Sequence, residues 1–381
     1  MTDHPRTRPH REDDVTGPSD PEALAVVERT VAAIRPVDAD ADAAAAAAGA
    51  MDGKVKPLRS LGELERLAAR LAGIQGTAQP HVDRPAIVVC AADHGIARSG
   101  VSAYPQEVTG LMLQGFASGT AAVGVLARQA GVRLVVADLG VVDPPRTAPG
   151  QNEVLDRRVR AGTASSLDGP AMSLAEAQRA VAHGIALADD LVDDGVDLVG
   201  LGEMGIGNTT TASALTAALL GRDPARVTGP GTGVSGEVLA AKVRAVDAVL
   251  RRHEGAEGTW AVLARMGGLE IAALAGVVLG AAAQRVPVLL DGFISTAGAV
   301  VASRLAPWAV DAMVAAHLSP EPGHAVQLEE LGLEPVLRLG MRLGEGTGAA
   351  LAVPVLRSAV ALLGEMGSFA DLGLAQDRPT V

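Results

Sequence analysis

Apolar residues recur at helical spacing over positions 22–34 and again over 58–74, after the break at Lys54-Val55-Lys56-Pro57. From position 86 the pattern changes. Short apolar runs at 86–91, 132–137, 196–201, 286–290 and 312–316 predict buried strands, and longer runs at 107–129, 174–190, 212–220, 236–252 and 268–284 predict helices between them. Residues 329–367 return to a helical pattern. Strands alternating with helices predict a three-layer α/β fold around a mostly parallel sheet. The chain divides into a polar, disordered tail (1–21), a helical segment (22–80), the α/β core (81–328), a second helical segment (329–373) and a short tail (374–381). The two helical segments are expected to form a smaller lobe. Ala43 to Ala48 reads as helix or as a tolerant linker.

Every predicted strand runs into a polar residue: Asp93-His94, Asp138, Glu203, Asp291 and His317. Ligands of open parallel sheets bind beyond the carboxyl ends of the strands, so these residues are expected to converge.

The segment Gly202-Glu203-Met204-Gly205-Ile206-Gly207-Asn208-Thr209-Thr210-Thr211 joins a predicted strand to a predicted helix. Glycines let backbone N–H groups approach an anion closely, and the start of a helix favours negative charge. Gly205, Gly207, Asn208, Thr209 and Thr210 are therefore expected to hold a phosphate. The plainer alternative is a tight turn with Asn208 or Thr209 as an N-cap, which leaves Glu203 unexplained. The pattern is neither a nucleoside-triphosphatase loop nor a full dinucleotide fingerprint. A second glycine loop, Gly229-Pro230-Gly231-Thr232-Gly233, has no basic residue inside it; Gly231 is expected to close over the same anion, a plain connection being the alternative.

Another glutamate sits among glycines in Arg342-Leu343-Gly344-Glu345-Gly346-Thr347-Gly348, just before an apolar run. It reads either as a ligand contact or as an acidic residue favoured by a helix dipole. The Gly-Glu-Met-Gly at 364–367 follows a helix and reads as a C-cap.

Composition narrows the classes. A net charge of −12 and a pI near 5.1 disfavour nucleic acid and anionic membrane as partners, so an anionic ligand must be held by local donors. Met1 to Pro21 lacks the apolar core of a secretory signal, and the apolar stretch 271–283 is too short to span a bilayer. Cys90, the single cysteine, lies in an apolar run and reads as buried. A cytoplasmic protein is expected.

Together, Lys56-Pro57-Leu58-Arg59-Ser60-Leu61-Gly62, Leu71-Ala72-Gly73-Ile74-Gln75-Gly76, Ala92-Asp93-His94-Gly95-Ile96, residues 202–210, Asp291-Gly292-Phe293, His317-Leu318-Ser319 and residues 342–348 occur in one order over most of the chain. That set resembles the nicotinate-nucleotide:dimethylbenzimidazole phosphoribosyltransferase (CobT) family. The resemblance implies a Rossmann-like parallel sheet with a small helical lobe, a homodimer, and no cofactor or metal. It also implies transfer of the ribose phosphate of nicotinate mononucleotide to 5,6-dimethylbenzimidazole, giving α-ribazole 5'-phosphate and nicotinate during assembly of the cobalamin nucleotide loop. Glu345 matches the family's general base and Glu203 its carboxylate at the nucleotide loop. Asp291, with Ser295 and Thr296, fits a ribose or nicotinate contact. Where some relatives place a serine and a glutamine against the base, this chain has Tyr104 and Met112; Met204 and Leu343 are expected to complete the slot. The alternatives are the same transfer to a purine or phenol, a non-catalytic binder of α-ribazole or nicotinate nucleotide, and, last, a Rossmann oxidoreductase.

Overall fold

The computed structural model describes residues 17–37, 41–145, 152, 154–231 and 233–373. Most of both expected tails lies outside these residues; residues 17–20 lead into the first helix, with the Ser19 hydroxyl donating to Gln178.

Six strands form one parallel sheet: β1 (Pro85–Ala92), β2 (Arg133–Gly140), β3 (Val154–Asp156), β4 (Leu198–Met204), β5 (Val288–Leu290) and β6 (Met313–Ala315). Their spatial order is β3-β2-β1-β4-β5-β6, so the direction of winding reverses between β1 and β4. A crevice opens at such a reversal, beyond the carboxyl ends of the strands. All residues of β1 are buried, which is why its sequence is a continuous apolar run rather than an alternating one.

Along the chain the helices are α1 (Pro21–Ala33), α2 (Ala41–Asp52), α3 (Glu63–Gln75), α4 (Val108–Ala117), α5 (Ala122–Ala130), α6 (Leu174–Asp193) and α7 (Asn208–Leu220). There follow α8 (Pro224–Val227), α9 (Gly236–Arg252), α10 (Thr259–Met266), α11 (Leu269–Ala283), α12 (Phe293–Leu305), α13 (Pro322–Leu331) and α14 (Thr347–Glu365). One face of the sheet is covered by α11, with α6 and α12 beside it; the other is covered by α14 and α5. Residues 269–282 of α11 are buried without a break, as expected of the apolar run there. Glycine permits the tight contact of α6 with α11: a Cβ on Gly184 or Gly276 would strike the backbone carbonyl of Ala273 or Val181. Of the amino-terminal helices, α1 lies on α6 and α11, whereas α2 and α3 pack with α14.

Three sequence expectations need correcting. The helix expected at 107–129 is two helices, interrupted at Ser118-Gly119, where Gly119 adopts φ +69° and its carbonyl accepts from Arg128 Nη1 at 2.6 Å. The helix expected from Ala212 begins at Asn208, because left-handed Gly207 turns the chain early and brings four polar residues into the first turn. The helical return expected over 329–367 is the end of α13, to Leu331, and then α14 alone. Before it the chain runs extended beside β6, with the N–H groups of Val336 and Leu337 donating to the carbonyls of Ala315 and Ala316. The short strand β3 and helices α10, α12 and α13 were not distinguished from their surroundings by periodicity.

Candidate active site

The crevice at the β4 end is a cleft of ≈ 250 Å³. The expected residues Glu203, Met204, Gly205, Asn208, Thr209, Gly231, Tyr104 and Leu343 all line it, joined by His317, Glu321 and Arg342. Of the polar strand ends expected to converge, only Glu203 and His317 line this cleft; Asp138 instead holds the N–H groups of Gly140 and Val141 and pairs with Arg158, Asp93 accepts the N–H of Val142, and His94 is buried. β4 carries Glu203 to the mouth, Gly205 and Gly207 form the turn, and α7 points its amino terminus at the cleft. Asn208 Nδ2 donates to Glu203 Oε2, so one carboxylate oxygen is oriented by the first residue of the helix that follows it. Glu203 is buried among other acids. Desolvation first, then the negative charges of Glu270, Asp291 and Glu345, pushes its pKa up to about 8, against the lowering effect of the Asn208 bond.

The loop at 229–233 does have a cation, supplied from elsewhere in the chain. Lys242 of α9 is 2% exposed, and its ammonium donates to the Gly229 carbonyl at 3.0 Å. Burial pulls its pKa down to about 8, while Glu321 opposes the shift. Glu321 Oε1 accepts the Gly231 N–H at 2.8 Å, and Arg342 Nη1 donates to the Gly231 carbonyl at 3.3 Å. Thr209 Oγ1 lies close to the same glycine. Arg342, Asn208 and Thr209 thus line the cleft beside Gly231, with the Lys242 ammonium buried behind that glycine. Sequence reading missed Lys242 because nothing local marks a buried lysine in the middle of a helix. Its rarity was the available signal, since the chain has only three lysines among 32 basic residues. Arg342 lay inside a motif whose glutamate drew the attention.

Five expected residues do not line this cleft. Gly207 is the turn residue itself, φ +98°, packed on Ala97. Thr210 is fully buried inside α7. Met112 packs against the hydrophobic core. Asp291 is a cap: Oδ1 accepts the N–H groups of Gly348 (2.6 Å) and Ala349 (3.1 Å), and Oδ2 that of Gly346 (3.1 Å). This corrects the expected ribose or nicotinate contact, because a carboxylate taking three N–H donors at the start of α14 is committed to holding that helix. Ser295 and Thr296 are likewise turned inward, bonded to the Gly292 carbonyl and to His324.

The fifth is Glu345. Its loop has three consecutive left-handed residues, Gly344 (φ +83°), Glu345 (φ +64°) and Gly346 (φ +86°). A non-glycine residue there is strained, and strain of this kind collects at functional sites. Gly344 lies directly against Glu203, where a Cβ would strike Oε1. The Glu345 side chain sits behind that wall, accepting the N–H of Val123 in the first turn of α5, while its Oε2 is buried without a hydrogen-bond partner among the described residues. Burial, then the charge of Asp291, pushes its pKa up to about 7. The site therefore combines a cationic, N–H-rich end, a partly apolar wall of Met204, Tyr104 and the 57% exposed Leu343, and two carboxyls that ionise near neutrality.

A phosphoribosyltransferase family profile matches residues 34–374. A nicotinate-nucleotide–dimethylbenzimidazole phosphoribosyltransferase of Chloroflexus aggregans is 47% identical over 93% of this chain and 99% of its own length. One of Roseiflexus sp. RS-1 is 48% identical over 92% and 99%. The crystal structure of CobT from Thermus thermophilus superposes with a TM-score of 0.84 at 47% identity, covering 88% of this chain and 99% of that one. With a profile match over most of its length and relatives this similar end to end, the chain belongs to the phosphoribosyltransferase family of these enzymes.

Proposed function

We infer that this protein transfers the phosphoribosyl group of nicotinate mononucleotide to 5,6-dimethylbenzimidazole, giving α-ribazole 5'-phosphate and nicotinate, a step of cobalamin biosynthesis. The observation that carries the reading is the setting of Glu203: it accepts from Asn208 at the start of α7 and lies against Gly344, in one cleft with Thr209, Arg342, Leu343, Met204 and Tyr104.

In this reading the phosphate is held by the amino terminus of α7 with Asn208 and Thr209, and by Arg342 across it, with the Lys242 charge behind Gly231. The benzimidazole lies against Leu343, Met204 and Tyr104. Its unprotonated ring nitrogen attacks the anomeric carbon. The bond from that carbon to the nicotinate nitrogen breaks, and its electron pair neutralises the pyridinium, so the leaving group takes no proton. Attack opposite to nicotinate turns a β into an α linkage. Positive charge builds on the ribosyl carbon in the transition state, and an ionised Glu203 opposes it. As the new bond forms, the other ring nitrogen must lose its proton. By the family resemblance that proton goes to Glu345; its carboxyl lies behind Gly344 on the α5 side, so the 344–346 loop must turn it into the cleft when the base binds, and a pKa of about 7 suits a base working near neutrality.

Incubation of the purified protein with nicotinate mononucleotide and a panel of benzimidazoles, purines and phenols, with products read by chromatography and mass spectrometry, tests this. The expected result is nicotinate released together with α-ribazole phosphate. Nucleotide binding without any product would favour a binding protein instead. A cytoplasmic homodimer is proposed on the family resemblance, and sedimentation equilibrium tests the stoichiometry.

A further inference from the structure

Beneath the Gly205 turn, side chains from three separate elements form a buried chain that the mechanism above does not use. Thr211 Oγ1 of α7 lies 3.0 Å from His94 Nδ1, and His94 Nε2 lies 2.6 Å from Glu270 Oε1 of α11. The His94 and Glu270 side chains are 1% and 0% exposed. The imidazole is the floor of the turn: a Cβ on Gly205 would come within 3.1 Å of its Cδ2, and Gly268 is pressed against its other side. Glu270 Oε2 is buried with no hydrogen-bond partner among the described residues.

Such an arrangement is expensive as scaffolding. A carboxylate removed from water with one oxygen unsatisfied costs several kcal/mol on the order expected for buried ions, and apolar side chains of similar size would fill the space more favourably. The start of α11 favours an acidic residue and offsets part of that cost. It does not account for a histidine bonded at both ring nitrogens, one to α11 and one to the helix that opens onto the cleft.

We propose that Glu270 and His94 are positioning residues for the phosphoribosyl transfer, holding the Gly205 turn and the first turn of α7 where they meet the nucleotide phosphate. The inference rests on the functional reading above. Asn208 on α7 is bonded to Glu203, and the charges of Glu270 on α11, Asp291 after β5 and Glu345 before α14 also act on it; His94 is bonded to Glu270, whose charge acts on Glu203 and on Cys90 of β1. After burial itself, Glu270 is the largest cause of the raised Glu203 pKa. Removing that one charge lets Glu203 ionise at lower pH. Cutting the link to Thr211 loosens the phosphate end instead.

The test compares wild type with Glu270→Gln, which keeps an acceptor for His94, and with Thr211→Val, which keeps the shape of α7. Each is measured for folding by circular dichroism, for nicotinate mononucleotide affinity by calorimetry, and for kcat and KM against pH. Glu270→Gln is expected to move the upper acid-side break of the pH profile down by about one unit. Thr211→Val is expected to weaken nucleotide affinity by about threefold, with kcat little changed. Unmoved pH profile and unmoved affinity in folded variants would overturn the proposal, and so would a lowered melting temperature with unaltered kinetics. Wild-type turnover in the same series judges the functional reading separately. Calorimetry reads the positioning role whether or not turnover is seen.

Discussion

The loops at 202–207 and 344–348 share a design, a glutamate among glycines ahead of a helix, yet the fold uses them differently. In the first, the strand delivers Glu203 to the cleft, and the helix that follows starts beside it with Asn208 bonded to the carboxylate. In the second, the amino terminus of α14 is already occupied by Asp291, so it is closed to an anion. What remains exposed of that loop is its wall, Arg342 to Gly344, while Glu345 is held behind it with one free oxygen. In the proposed mechanism one loop binds charge and the other takes a proton. A glycine-flanked carboxylate does not by itself say which; the group bonded to the neighbouring helix start decides it.

Four changes would break or sharpen this contrast. The largest effect is expected from Glu345→Gln, which keeps the shape and removes the base: kcat should fall by about 10²–10⁴-fold with the KM for nicotinate mononucleotide little changed, read by steady-state kinetics. For the same reason wild-type turnover should rise with pH through the values of about 7 and about 8, since both carboxyls must be ionised and both are held protonated below those values. Next, Glu203→Gln should cost about 10–10² in kcat while stabilising the unliganded protein. The sign follows from linkage: a Glu203 pKa of about 8 against the ordinary 4.5 means that the folded state keeps a proton the unfolded state has lost. Stability is thus greatest below the unfolded value and declines as pH rises towards about 8. The amide, having no charge to bury, should be more stable than wild type near pH 8 in thermal melts, with the difference vanishing below about pH 4. A smaller, binding-specific effect is expected from Lys242→Met: about tenfold in the KM for the nucleotide, with the base KM unmoved, because the ammonium serves the phosphate end. The smallest is Tyr104→Ala, expected to change the ranking of acceptor bases by about two- to threefold in kcat/KM while leaving nucleotide binding alone, as one exposed wall of a slot should. Equal effects of Glu203→Gln and Glu345→Gln on nucleotide affinity would erase the distinction between the two loops.

Much of the cleft was legible beforehand. Glu203, Gly205, Asn208 and Thr209 were placed because strand, turn and helix are contiguous there, and a local motif carries its own geometry. Thr210 was assigned to the ligand on the same motif but faces the interior, since adjacent positions on a helix point in different directions. Asp291 was misread because a polar residue at a strand end looks the same in sequence whether it meets a ligand or caps a helix more than fifty residues away. Lys242, and the pairing of His94 with Glu270, depend on elements that meet only once the sheet order is set.

The sequence by itself therefore determined the α/β class, the strand-end location of the chemistry, and both carboxylates of the proposed mechanism. These follow from periodicity, from the freedom of glycine, and from motifs that are local or occur in a recognisable order. Only the tertiary structure decided which helix start is open and which is capped, where the cation for the phosphate comes from, and how far two glutamates are driven from their ordinary pKa values. Those properties come from burial and from contacts between residues distant in the chain, and spacing along a sequence encodes neither.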